Sequence, residues 1–92
     1  MSRKRRHRHH DWSVLLRDVV AASDAPVEKR PVYLAFAREL LSTLRRKPIP
    51  DFTRRTKMVV WKWFKRGLSG HVMWQIEAHL LDILFGRGWA RQ

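Results

Sequence analysis

The chain has no cysteine, which removes disulfides, thiolate zinc sites and cysteine nucleophiles and gives no sign of an oxidising compartment. Acids are scarce, with eight Asp and Glu against 20 Lys and Arg, a formal charge of +12 on 92 residues. No apolar run approaches the roughly 20 residues that a membrane span needs, and no apolar segment follows the charged N-terminus as it would in a secretory signal. A soluble, unexported, cytoplasmic and nucleoid-associated protein is therefore expected, with no role in a membrane. Carboxylate pairs, Gly-rich phosphate loops and metal-ligand spacings are also missing, so the chain reads as no enzyme and as needing no metal or cofactor. His71 and His79 stand eight apart with only Glu77 near them, and the flexible HRHH of the N-terminus lacks the acids or thiols of a metal site.

What is present is 45% apolar residues, 11% aromatic, with five Trp. That is too much for a disordered polycation and enough for one small helical core. The basic residues are not spread evenly. Arg3, Lys4, Arg5, Arg6 and Arg8 make +5 in an opening arm that carries no acid before Asp11. Between Arg45 and Arg66 nine basic residues (Arg45, Arg46, Lys47, Arg54, Arg55, Lys57, Lys62, Lys65, Arg66) face Asp51 alone, a local +8. Charge that only aids solubility is mixed in sign, whereas two blocks divided by near-neutral segments mark two places that meet phosphates. The plain alternative is a solvated tail and a wet helix face.

Residues 1–10 have no apolar anchor and are expected to be disordered alone. Residues 11–86 read as one helical domain and 87–92 as a tail whose Trp89 folds back. In DWSVLLRDVVAAS, Trp12, Leu15, Leu16, Val19 and Val20 recur at helical spacing behind Asp11, a possible cap, and predict a helix over 12–22. Pro31 opens a second helix over 31–46, with Tyr33, Phe36, Ala37, Leu40, Leu41 and Leu44 on one stripe. The Lys47-Pro48-Ile49-Pro50 run interrupts it, and a new helix starts near Phe52. Nothing between Phe52 and Arg66 decides between one helix and two short ones with a turn near Arg55 to Lys57. Gly67 reads as a C-terminal cap and Ser69 as an N-cap. The last helix spans 70–85, with Val72, Met73, Ile76, Leu80, Ile83 and Leu84 inward and Gly86 as its stop. The expected fold is a small all-α bundle of four to five helices, open to a helix-turn-helix arrangement.

At 100° per residue, Phe52, Val59 and Trp63 share a core-facing stripe with Val60 nearby, and Trp61 falls on the far side. Lys57 and Lys65, four residues either way, Met58 and Arg54 surround it. An indole ringed by cations suits a base, a sugar or a partner pocket, with the lysines on phosphate. The bland reading packs Trp61 beneath the first helix or the tail.

Val60, Trp63, Gly67, Ile76 and Glu77 stand as V-x-x-W-x-x-x-G-x8-I-E, within a stretch of about 25 residues that resembles the second half of small phage-type repressors and Cro-like or YdaS-like helix-turn-helix regulators. The resemblance implies a recognition helix seated by the Val and Trp and ended by the Gly. Its DNA-facing positions would be Thr56, Lys57, Met58, Trp61 and Lys62. Where the family carries a small residue and a Gly at its tight turn, this chain has Asp51 and Arg55.

These readings converge on a nucleic-acid-binding protein, foremost a small DNA-binding transcriptional regulator. Its basic helix would enter a groove of duplex DNA, favoured over RNA, while the Arg-rich arm follows the backbone. A repressor of this type would be a homodimer, with Trp74, Leu81, Phe85 and Trp89 as candidates for its face. Two alternatives stand beside it: a small phage or mobile-element adaptor or inhibitor gripping an acidic surface of a host protein, and an RNA-binding component of a ribonucleoprotein.

Overall fold

The 3.6-residue stripe of the second helix organises the molecule, because every other helix packs on it. The computed structural model describes residues 12–45 and 52–86. The basic arm, Arg46, Lys47, the Asp11 and Asp51 caps, the side chain of Phe52 and the tail with Trp89 lie outside the described residues. Helix α1 spans Trp12–Ala22, and a 3-10 turn at Val27–Lys29 leads into α2, Arg30–Leu44. Helix α3 spans Phe52–Phe64 and α4 spans Gly70–Phe85. The all-α bundle expected from sequence is the fold, with four α-helices among the described residues.

The stripe of α2 buries all six residues assigned to it, from Tyr33 to Leu44. Leu16, Val19 and Val20 of α1 meet one flank, and Val59 and Trp63 of α3 another. Helices α1 and α3 each pack on α2 but not on each other, while α4 touches all three through Val72, Met73, Ile76, Leu80 and Leu81. That shared contact widens the buried arc of α4 beyond a single stripe. Leu81, expected on a dimer face, is therefore core at 4% exposure, and Ile83, expected inward, is exposed at 38%.

Residues 52–64 form one helix, with no turn at Arg55 to Lys57. Among the described residues positive φ occurs only at Gly67 (101°) and Gly86 (85°), so Arg55 never takes the left-handed conformation that a tight turn there would need. The chain turns instead after Phe64. The Leu68 N–H donates to the Trp63 carbonyl at 3.3 Å and the Gly67 N–H to the Phe64 carbonyl at 3.0 Å. That pair is a Schellman ending with glycine in the left-handed position, and it places Leu68 in the core beside Trp63. Ser69 then caps α4, its side chain accepting from the Val72 N–H at 3.3 Å.

Two sets of polar contacts tie the interhelix segments to the bundle. The Ser69 N–H donates to the hydroxyl of the buried Tyr33 at 2.6 Å. On the other side, Gln75 accepts from the Asp24 N–H at 2.8 Å and donates to its carboxylate at 3.2 Å, while His71 Nε2 lies 3.0 Å from the same carboxylate. Among the described residues Glu77 has no such compensation. It is half-buried on α4, and burial raises its pKa above the usual 4.5.

Two stability measurements follow from this packing. Tyr33→Phe leaves the Ser69 N–H without its acceptor and is expected to lower unfolding stability by about 1–2 kcal/mol in urea denaturation. A carboxyl whose folded pKa is raised favours folding while protonated, so the stability Glu77 permits below pH 4.5 is lost as pH rises through its higher folded value. Glu77→Gln is accordingly expected to raise Tm at pH 7 and to flatten the rise in Tm that the parent protein shows on acidification towards pH 5. A Tm unchanged at pH 7 would contradict the burial argument.

Candidate nucleic-acid interface

The rotation of α3 about its own axis decides which of its side chains face solvent, and Trp63 sets that rotation. Its indole is 8% exposed, meets the buried Phe36 ring edge-on at 6.4 Å and donates its N–H to Glu39 Oε1 at 2.8 Å. Lys62 closes on the same carboxylate, its ammonium 3.0 and 3.1 Å from the two oxygens. Burial alone would raise the pKa of Glu39, but hydrogen bonds from Lys62 and Trp63 and the charges of Lys62 and Arg66 outweigh it and hold the carboxyl below its ordinary value. The Arg66 guanidinium covers the Trp63 ring at 4.7 Å, so the inner edge of α3 is closed by ion pair, hydrogen bond and cation–π contact together.

With Trp63 inward, Trp61 points out. Arg54, Lys57, Met58, Phe64 and Lys65 all lie within about 60° of it on the helix. Met58 is 65% exposed, Trp61 58% and Phe64 50%, and Arg54, Lys57 and Lys65 are exposed around them. The Trp61 and Phe64 rings stack at 5.8 Å between centroids and 24° between planes, and the Lys65 ammonium lies 5.8 Å from the indole centroid. Helix α3 carries no acid in its thirteen residues. The outward face is thus three cations around a strip of two rings and a thioether.

The expected site residues fall into distinct places. Lys57, Met58 and Trp61 come together as the helical wheel and the family pattern both required, with Arg54 and Lys65 beside them. Thr56 does not join them. It is 5% exposed, facing the core about 140° round from Trp61, and its assignment to DNA is corrected on that ground. Lys62, also assigned to DNA, is turned about 100° away and held by Glu39. Arg55 is half-buried and lines a groove between α2 and α3 with Glu39, Thr43, Met58, Val59 and Lys62. Arg45 is exposed at the end of α2 with its guanidinium 5.2 Å over the Trp12 ring, and Arg66 is engaged with Trp63. Arg3, Lys4, Arg5, Arg6, Arg8, Arg46 and Lys47 lie outside the described residues.

Sequence reasoning missed two members of this region. Phe64 stands three residues after Trp61, a spacing that places both on one face. The other is Glu39, whose role depends on how α2 and α3 dock, and no local pattern carries that. Among the described residues no group of three or more His, Asp or Glu is placed to hold a metal ion, and no helix is long and apolar enough to cross a membrane. Comparisons of the chain with protein-family models, with curated proteins and with solved structures gave no match.

Glu39→Gln tests the inner edge of this arrangement. The variant keeps an acceptor for Trp63 but loses the charge that holds Lys62, so a loss of about 1 kcal/mol is expected at pH 7. A carboxylate with a lowered folded pKa contributes stability above its unfolded pKa and loses it as pH falls through the folded one. The gap between parent and variant should therefore close in acid, below the ordinary value of 4.5. A gap independent of pH would show that the charge plays no part.

Proposed function

We propose that this protein binds nucleic acid, with the outward face of α3 as its contact surface and the Arg-rich arm adding phosphate contacts. One observation carries the reading: Arg54, Lys57 and Lys65 crowd around exposed Met58, Trp61 and Phe64 on a helix that has no acid of its own. Exposed cations held this close repel one another, and a row of phosphates relieves that repulsion while releasing condensed counterions. The ring pair supplies what a purely electrostatic patch lacks, a surface for sugar or base.

Within that class, the resemblance to helix-turn-helix regulators favours a small DNA-binding transcriptional regulator. Of the five positions that resemblance assigns to DNA, Lys57, Met58 and Trp61 face outward. Trp74 and Phe85 are exposed on α4, and these two are the described residues left from the expected dimer face. The exposed rings also favour a second reading, a small adaptor gripping an acidic protein surface, since Trp and Arg dominate such contacts.

Titration of labelled DNA duplex, folded RNA and heparin over a salt series separates these readings. DNA binding is expected to weaken by about tenfold or more between about 50 and about 200 mM salt, and Lys57→Gln to shallow the log–log slope by roughly 1. Binding that is weak, equal for all three polyanions and indifferent to Lys57→Gln would count against the proposal and turn the search to a protein partner.

A further inference from the structure

The groups at the centre of the α3 face do not match the edges of paired bases. Base edges in a duplex groove are read by side chains that donate and accept hydrogen bonds in pairs, chiefly Arg, Lys, Asn and Gln. Here the exposed apolar groups are Met58, Trp61 and Phe64, with Lys57 and Lys65 a turn before and after Trp61 along the helix axis. Thr56 is turned into the core and Lys62 is bound to Glu39, which takes two hydrogen-bonding side chains away from the outward face. The Trp61 and Phe64 rings stack on one another 24° from parallel, and at 58% and 50% exposure the pair still leaves aromatic surface open to solvent. Flat apolar surface is complementary to the faces of bases, which a paired duplex hides in its own stack and an unpaired stretch exposes.

We infer that the α3 face takes unpaired bases of DNA, with the Trp61 and Phe64 rings against base faces and Arg54, Lys57 and Lys65 on the flanking phosphates. This rests on the nucleic-acid reading above and narrows it to DNA in which a run of bases is open. The charge pattern fits such a ligand. Cations four residues before and after Trp61 place positive charge on both sides of the ring along the helix axis, as a strand passing over it needs, with a phosphate on either side of each base.

The test is the binding of the full chain, followed by fluorescence anisotropy at one moderate salt concentration, to three labelled DNAs of a single sequence. These are the paired duplex, the same duplex with a central bubble of mismatches, and the single strand. The bubble and the single strand are expected to bind about tenfold tighter than the paired duplex. Trp61→Leu, which keeps apolar bulk and loses the ring, is expected to remove that preference, and Phe64→Leu to reduce it. Both residues are exposed, and circular dichroism with a melting curve confirms that each variant folds.

Equal affinity for the three DNAs, with binding still salt-sensitive and weakened by Lys57→Gln, would overturn the inference and leave the nucleic-acid reading standing. An equal loss on all three DNAs in Trp61→Leu would also overturn it, since a generic apolar contact then explains the ring. No salt-sensitive binding to any of them would overturn the inference and the DNA reading, and its absence on folded RNA as well would overturn the nucleic-acid reading and point to an acidic protein surface as the partner of this face.

Discussion

The seating of Trp63 on α2 is the constraint from which the rest of α3 follows. One indole is held by an edge contact with Phe36, by a hydrogen bond to Glu39 and by the guanidinium of Arg66. A helix transmits such a constraint along its length, since each residue is turned 100° from the last. With Trp63 inward, Trp61 lies about 160° away and has nowhere to face but solvent. The same residue anchors the turn that follows, because its carbonyl accepts from both Arg66 and Leu68. The α3–α4 turn, the Ser69 cap and the Tyr33 hydroxyl that holds it are therefore downstream of one side chain's position.

Much of this was legible because the bundle obeys local rules where its helices are regular. The stripe of α2 named its own buried residues, Gly67 and Gly86 took the positive φ values that end helices, and Ser69 capped where a short polar residue was needed. The helical wheel also separated Trp61 from Trp63 correctly. The errors came where a motif was trusted over the wheel or where several helices meet. Thr56 goes to DNA by family pattern alone, and Lys62 by that pattern and by its place in the basic block, although their angular positions put one towards the core and the other to the side. Leu81 and Ile83 were misplaced for a different reason. The buried arc of α4 is set by three neighbours at once, and the width of that arc is a property of the assembled bundle rather than of the sequence of α4.

Charge tells the same story at a finer scale. Nine basic residues between Arg45 and Arg66 look equivalent in sequence, yet those described are divided by their surroundings into different tasks. Lys62 and Arg66 close the inner edge around Glu39 and Trp63, and Arg45 covers Trp12. Such contacts keep the aliphatic stems on apolar surface and the charges in water. Arg55 lines the groove between α2 and α3, and Arg54, Lys57 and Lys65 remain for the outward face. A single acid on α2 thus does the sorting, since Glu39 draws Lys62 inward and leaves a face whose charge is all of one sign.

That face combines two features that are each unfavourable in an isolated protein. Large apolar side chains stand in water at Met58, Trp61 and Phe64, and like charges crowd around them. A ligand that was merely apolar would cover the rings but bury cations without partners, which is expensive. One that was merely anionic would answer the charges and leave the rings wet. A partner that is negative at its margin and flat and apolar between its charges would relieve both together, and the unpaired strand inferred above has that form, with bases set between its phosphates. On the proposed reading, the contact surface and the charge imbalance of the sequence would be one feature, answered by the same partner.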